Sequence, residues 1–232
     1  MTAEQIFFLP PGGRRLFIIV GAFGSGKTEF AINLALALTK QGRQTALADL
    51  DLVNPYFRSR EKDGMLESRG VRLIAPEGDL RHADLPSIPS GRWQLVYDKN
   101  LSGVLDIGGD RTGARVLGAY AADIKKQDPA VWYVFNRARY DNAQAGNALA
   151  SLRQIEASAG MEVNGIVHNT HLLGETTAET VLQGAQAAGS FAAQAGLPLI
   201  CHCIQQDLMN DIMGLAPLFP MEMYMNRPWE DG

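Results

Sequence analysis

The chain has 232 residues, 46% of them hydrophobic, and a formal net charge of −4 at pH 7. That length suits one α/β domain with a well-buried core, and no Pro/Ser-rich linker or charge run divides it, so a single domain over residues 1–232 is expected. The charge balance excludes the basic footprint of a DNA- or RNA-binding protein, and no apolar run reaches bilayer-spanning length. With Met1–Arg15 lacking the basic-then-apolar order of a signal peptide, the expectation is a cytoplasmic protein with no direct nucleic-acid partner and no membrane anchor.

Apolar runs predict strands near Leu16–Val20, Gln44–Ala48, Val71–Ala75, Gly103–Ile107, Val131–Phe135, Val163–His168 and Leu199–Cys203. Between them Lys27–Lys40, Thr112–Lys126, Ala143–Ala159 and Thr177–Ala195 carry apolar residues at helical spacing and are rich in Ala and Leu. The alternation predicts an α/β fold, a mainly parallel sheet of about seven strands flanked by helices in three layers. Pro76–Asn100 is less regular, with Pro86 and Pro89 close together, and Gly91–Asn100 reads as a short helix or a strand. In such sheets ligands bind beyond the carboxyl ends of the strands, so the residues that follow each strand carry the information.

After the first strand come Gly21-Ala22-Phe23-Gly24-Ser25-Gly26-Lys27-Thr28, followed by Glu29. This is the phosphate-binding pattern G-x-x-x-x-G-K-[ST] in its required strand–loop–helix context, and it predicts a nucleoside triphosphate ligand. The glycines let backbone N–H groups turn inward around a phosphate, and the helix beginning near Lys27 adds the positive end of its dipole. Lys27 would neutralise the β- and γ-phosphates, while the Thr28 hydroxyl would complete a Mg²⁺ shell. Gly21 through Glu29 are therefore candidate nucleotide-binding residues.

After the second strand, Asp49-Leu50-Asp51 places two carboxylates at the mouth of the loop, where they can hold Mg²⁺ through water or orient an attacking water. The fourth strand ends Leu105-Asp106-Ile107-Gly108-Gly109, an apolar strand closing on D-x-x-G. Asp106 is placed as a Mg²⁺ carboxylate acting through water, and the Gly109 N–H as a γ-phosphate contact that moves when that phosphate leaves.

On these motifs the sequence resembles the MinD/ParA branch of the P-loop NTPases, in the CobQ/CobB/MinD/ParA nucleotide-binding family. That class also holds signal-recognition GTPases, nitrogenase iron protein and dethiobiotin synthetase. The resemblance implies that Thr28, with Asp49 and Asp106 through water, supports Mg²⁺ and that Asp51 positions the hydrolytic water. It also implies an ATP-dependent face-to-face homodimer and a protein partner, with the segments near Asp51 and Gly109 remodelled by the γ-phosphate. One departure stands out: the second loop lysine usual in that branch, K-G-G-x-G-K-[ST], is Ala22 here. Arg58, Arg60 and Arg111 are candidate replacement cations, each equally readable as solvated or paired with Glu61 or Asp110.

Guanine-specific relatives display N-K-x-D, and that tetrapeptide does not occur in the chain. Asn136 and Asn169 follow the fifth and sixth strands instead. An Asn amide offers a donor and an acceptor to the adenine edge, which favours ATP/ADP, with Asn169 at the family position and Asn136 equally able to cap the loop after it. Cys201 and Cys203 flank His202 in an apparent strand, so both sulfurs share one face, too close for an ordinary disulfide and too few for a metal cage. They read as core residues, and His82, His168 and His171 as structural or loop residues. The methionine-rich stretch Gln205–Gly232 lacks a basic face, so packing on the domain or on a partner is expected.

The leading expectation is a Mg²⁺-dependent ATPase that switches its association with another macromolecule. The rival is a small-molecule phosphotransferase or ATP-dependent ligase, with Tyr56 and Arg58 holding an anionic substrate. A nucleotide-binding regulator without hydrolysis is a third reading, kept open by Ala22.

Overall fold

The computed structural model describes residues 5–50, 60–74, 95–108, 114, 117–118, 120–143 and 145–225. Strand β1, Leu16–Val20, is buried along its whole length, as expected of a strand covered on both faces. It is followed by α1, Lys27–Lys40, β2, Gln44–Leu50, α2, Arg60–Ser68, β3, Val71–Ile74, and β4, Leu101–Ile107. Next come α3, Ala121–Lys125, β5, Ala130–Phe135, α4, Ala145–Ala159, β6, Gly165–His168, α5, Ala178–Ala195, β7, Leu199–Gln205, and β8, Leu218–Met221.

Among the described residues the strands form one eight-stranded sheet in the order β3-β2-β4-β1-β5-β6-β7-β8, and every pairing is parallel. Alternate residues of β1 feed two cores. Leu16, Ile18 and Val20 pack with Leu152 and Ile155 of α4 and Phe191 of α5. Phe17 and Ile19 pack with Phe30, Leu34 and Leu38 of α1 on the other face. Helices on both faces of a parallel sheet give the expected three layers.

The eighth strand corrects the expected count. It comes from the methionine-rich stretch, which packs on the domain: β8 extends the sheet beside β7, and Asn33 of α1 exchanges hydrogen bonds with the Glu222 backbone. That cover explains why α1 is buried nearly all round rather than along one stripe. Of the irregular region before β4, residues 95–97 form a helical turn, and 75–94 lie outside the described residues. Within the predicted helix Thr112–Lys126, the regular helix described is α3.

Strand β2 runs two residues beyond its predicted end, and this matters for the site. The extension brings Asp49 into register with Asp106 on β4. No helix among the described residues is long and apolar enough to cross a membrane.

Candidate nucleotide-binding site

The loop after β1 is shaped by glycines at positive φ where a larger residue would be strained and crowded. Gly26, the N-cap of α1, sits at φ 85° with no side-chain cap, and a Cβ there would collide with Asn169 Nδ2 and come within 3.0 Å of His171 Nε2. A Cβ at Gly21 would lie 2.6 Å from the Val134 carbonyl oxygen. Because no side chain caps α1, the N–H groups of its first turn face outward with the positive end of the dipole, the arrangement that receives an anion. Ser25 is fully buried, and its hydroxyl has no hydrogen-bond partner among the described residues.

Lys27 is buried and donates from Nζ to the Ala22 carbonyl at 3.0 Å. Its ammonium is thus held against the loop that a phosphate would enter. Thr28 Oγ1 donates to Asp106 Oδ2 at 2.5 Å. Asp49 and Asp106 are 5% and 2% exposed and pair on adjacent strands. Two buried carboxylates at that spacing repel unless a cation or proton lies near. A hydroxyl and two carboxylates are hard oxygen donors, the set Mg²⁺ takes when it keeps waters and phosphate oxygens in its shell. Cradle and donor set together fit a Mg²⁺–nucleotide, which when bound would bring positive charge beside the two acids.

The far side of the loop is braced by residues from the loops after β5 and β6. Asn169 Nδ2 donates to the Ser25 carbonyl at 2.9 Å. Asn136 accepts from the Ala138 N–H at 2.9 Å, so it caps the turn that follows it. Thr170 Oγ1 accepts from the Arg137 N–H at 3.1 Å, and the Asn169 N–H donates to the Phe135 carbonyl at 2.8 Å. Arg139, which the sequence reading passes over, donates from Nε to the Gly24 carbonyl at 2.7 Å. Burial, and then the Arg139 guanidinium, hold His171 down at about 4.

Glu29, expected among the phosphate-loop contacts, turns its carboxylate to the backbone amides of Tyr224 and Met225. Its side chain therefore anchors the C-terminal segment. Ala22, where the second lysine would stand, is buried. Asp51, Gly109, Arg58 and Arg111 lie outside the described residues, and Arg60 opens α2. Cys201 and Cys203 are free thiols in the α1-side core, and burial, with Cys201 beside it, pushes the Cys203 thiol well up. On the opposite face His168 and His202 pair through Nδ1 at 3.1 Å. Among the described residues no group of three or more His, Cys, Asp or Glu forms a metal site of its own.

A parallel sheet whose central strand runs into a glycine cradle, with a Thr–Asp pair beside it, defines a P-loop nucleotide-binding protein. Residues 16–181 match the family described as CobQ/CobB/MinD/ParA nucleotide binding domain, and the chain belongs to that family. Among solved structures it is similar to the cell division protein FtsY of Thermotoga maritima, at 19% identity and a TM-score of 0.52, over 84% of this chain and 63% of that one. It is also similar to the Signal Recognition Particle 54 kDa protein of Aeropyrum pernix in complex with GDP, at 20% identity and 0.52, over 82% and 42%. FtsY from Mycoplasma mycoides gives 14% identity and 0.54, over 84% and 62%. At these identities the likeness is one of fold, and the chain spans less than two thirds of the length of these structures. Comparison with curated proteins gives no match.

Proposed function

We propose that the protein is a Mg²⁺-dependent ATPase whose nucleotide state switches a homodimer and, through it, association with a protein partner in the cytoplasm. The observation that carries this reading is the Thr28–Asp106 contact beside Lys27, with Asp49 in register. It supports a metal and terminal-phosphate site at the ends of β2 and β4. In this reading Lys27 balances phosphate charge, Thr28, Asp49 and Asp106 hold Mg²⁺ directly or through water, and Asp51 orients the attacking water. Gly109 senses the γ-phosphate. Family membership supports the nucleotide, and the MinD/ParA resemblance supports the dimer.

Preference for adenine rests on Asn169. With Nδ2 engaged by Ser25, its Oδ1 is the atom left to accept from a base, and adenine carries an amino group where guanine carries a carbonyl. The relative from Aeropyrum pernix is a GDP complex, but the N-K-x-D pattern that accepts from guanine is absent here.

Sedimentation of an Asp51→Ala variant with ATP and with ADP tests the switch, because a γ-phosphate is sensed only through contacts that differ between the two nucleotides. The variant should be dimeric with ATP and monomeric with ADP. A monomer in both, above nucleotide saturation, rejects the switch and favours the small-molecule phosphotransferase.

A further inference from the structure

The cradle has two ends, and the sheet order tells them apart. Thr28 bonds to Asp106 of β4, and β4 and β2 lie on one side of β1, whereas β5 and β6 lie on the other. A nucleotide whose terminal phosphates and metal are held at the β4 side must direct its nucleoside toward the loops after β5 and β6. That is where Arg139 stands. Its Nε is fixed on the Gly24 carbonyl at 2.7 Å, and a Cβ at Gly24 would lie 3.1 Å from Nε and 3.4 Å from Cζ. The guanidinium therefore rests against the loop backbone itself.

Arg139 is only half-buried, and among the described residues Nε–Gly24 is its one side-chain hydrogen bond and no carboxylate pairs with it. A guanidinium held at one nitrogen keeps two amino groups and a planar face to offer. The neighbouring His171, held neutral, does not compete with it as a second cation. Arg139 lies away from the Thr28–Asp106 end, so it does not replace the charge missing at Ala22.

We propose that Arg139 is the nucleoside contact of this site: anchored on Gly24, its guanidinium presents a planar cationic face to the base or ribose that emerges from the phosphate loop. This rests on the nucleotide-binding reading above. Guanidinium planes stack on aromatic faces, and every base has such a face, so the contact strengthens ATP and GTP alike. Selection between them is left to Asn169.

The experiment is titration of wild type and Arg139→Gln, with Mg²⁺ present, by ATP, GTP and inorganic tripolyphosphate. Gln keeps an N–H for the Gly24 carbonyl but loses the cationic plane; Arg139→Lys, which keeps a donor and the charge but not the plane, serves as second variant should Gln disturb folding. Affinity for ATP and for GTP should each fall on the order of tenfold, while tripolyphosphate affinity changes by less than about twofold, because Gln keeps the bond to the Gly24 carbonyl and the loop amides still face the phosphates. Parallel loss for all three ligands, loss for one nucleotide alone, or no loss would overturn the proposal. Wild type that binds none of the three would instead overturn the nucleotide reading on which it rests.

Discussion

Replacing Gly26 with Ala probes the loop at the point where three elements meet. Gly26 holds φ 85° as the N-cap of α1, and an L-residue in that region costs about 1–2 kcal/mol. The new methyl would also displace Asn169 Nδ2 from the Ser25 carbonyl, a 2.9 Å bond whose loss between buried groups costs about 1–2 kcal/mol more. The sum is about 2–4 kcal/mol. Gly42 supplies the control, since it has φ 78° with nothing within 4 Å of its Cβ, so Gly42→Ala should carry the backbone cost alone. Equilibrium urea denaturation of both variants measures the difference, and an Asn169→Ala background should remove most of it by the logic of a double-mutant cycle. Equal destabilisation of Gly26→Ala and Gly42→Ala would refute the account of the loop as braced by Asn169.

Lys27→Ala should weaken ATP binding by about 2–5 kcal/mol, since phosphate charge would be left among backbone donors alone; equal affinities in a titration would sink the assignment. Competition should favour ATP over GTP, and Asn169→Ala should narrow the gap through loss of the acceptor, so a clear preference of wild type for GTP counts against the adenine reading. Acid stability should depend on His168, which burial, and then His202, hold down at about 3 from an ordinary 6.5. The unfolded chain binds this proton first, so stability is full above pH 6.5 and falls as pH drops toward 3, by up to roughly 1.4 kcal/mol per pH unit. Denaturation midpoints of wild type and His168→Gln across that window should show a shallower slope in the variant, and matching slopes would dismiss the pair as the source.

The phosphate loop is legible in the sequence because its chemistry lies in eight consecutive residues between a strand and a helix, and α1 begins and ends where its pattern predicts. Asp49 and Asp106 are legible as acids at strand ends, but their register is a tertiary fact that needed β2 to run on to Leu50. Strand β8 escapes because it is four residues long and contains Pro220; the proline is tolerated because the strand lies at the sheet's end and the residue is exposed. Arg139 leaves no local signal, since its contact with Gly24 spans 115 residues. The pairing of His168 with His202 likewise exists only once β6 and β7 are in register.

The distribution of these contacts bears on how a γ-phosphate signal would leave the site. On the β5–β6 side the two loops bond to each other through Arg137, Asn169 and Thr170, and to the phosphate loop through Arg139 and Asn169. A network whose members satisfy one another resists small displacements, because moving one leaves a buried partner unsatisfied. Nucleotide exchange therefore has little leverage there. The Thr28–Asp106 end differs in kind: it holds two buried carboxylates in register on adjacent strands, whose mutual repulsion would rise or fall with the charge of a cation bound near them. In the proposed reading, loss of the terminal phosphate changes that cation's shell first. The response then passes into the segments that follow Asp49 and Asp106, which carry Asp51 and Gly109. On that reading the switch lies on the β2–β4 side and the fixed grip on the nucleoside on the other.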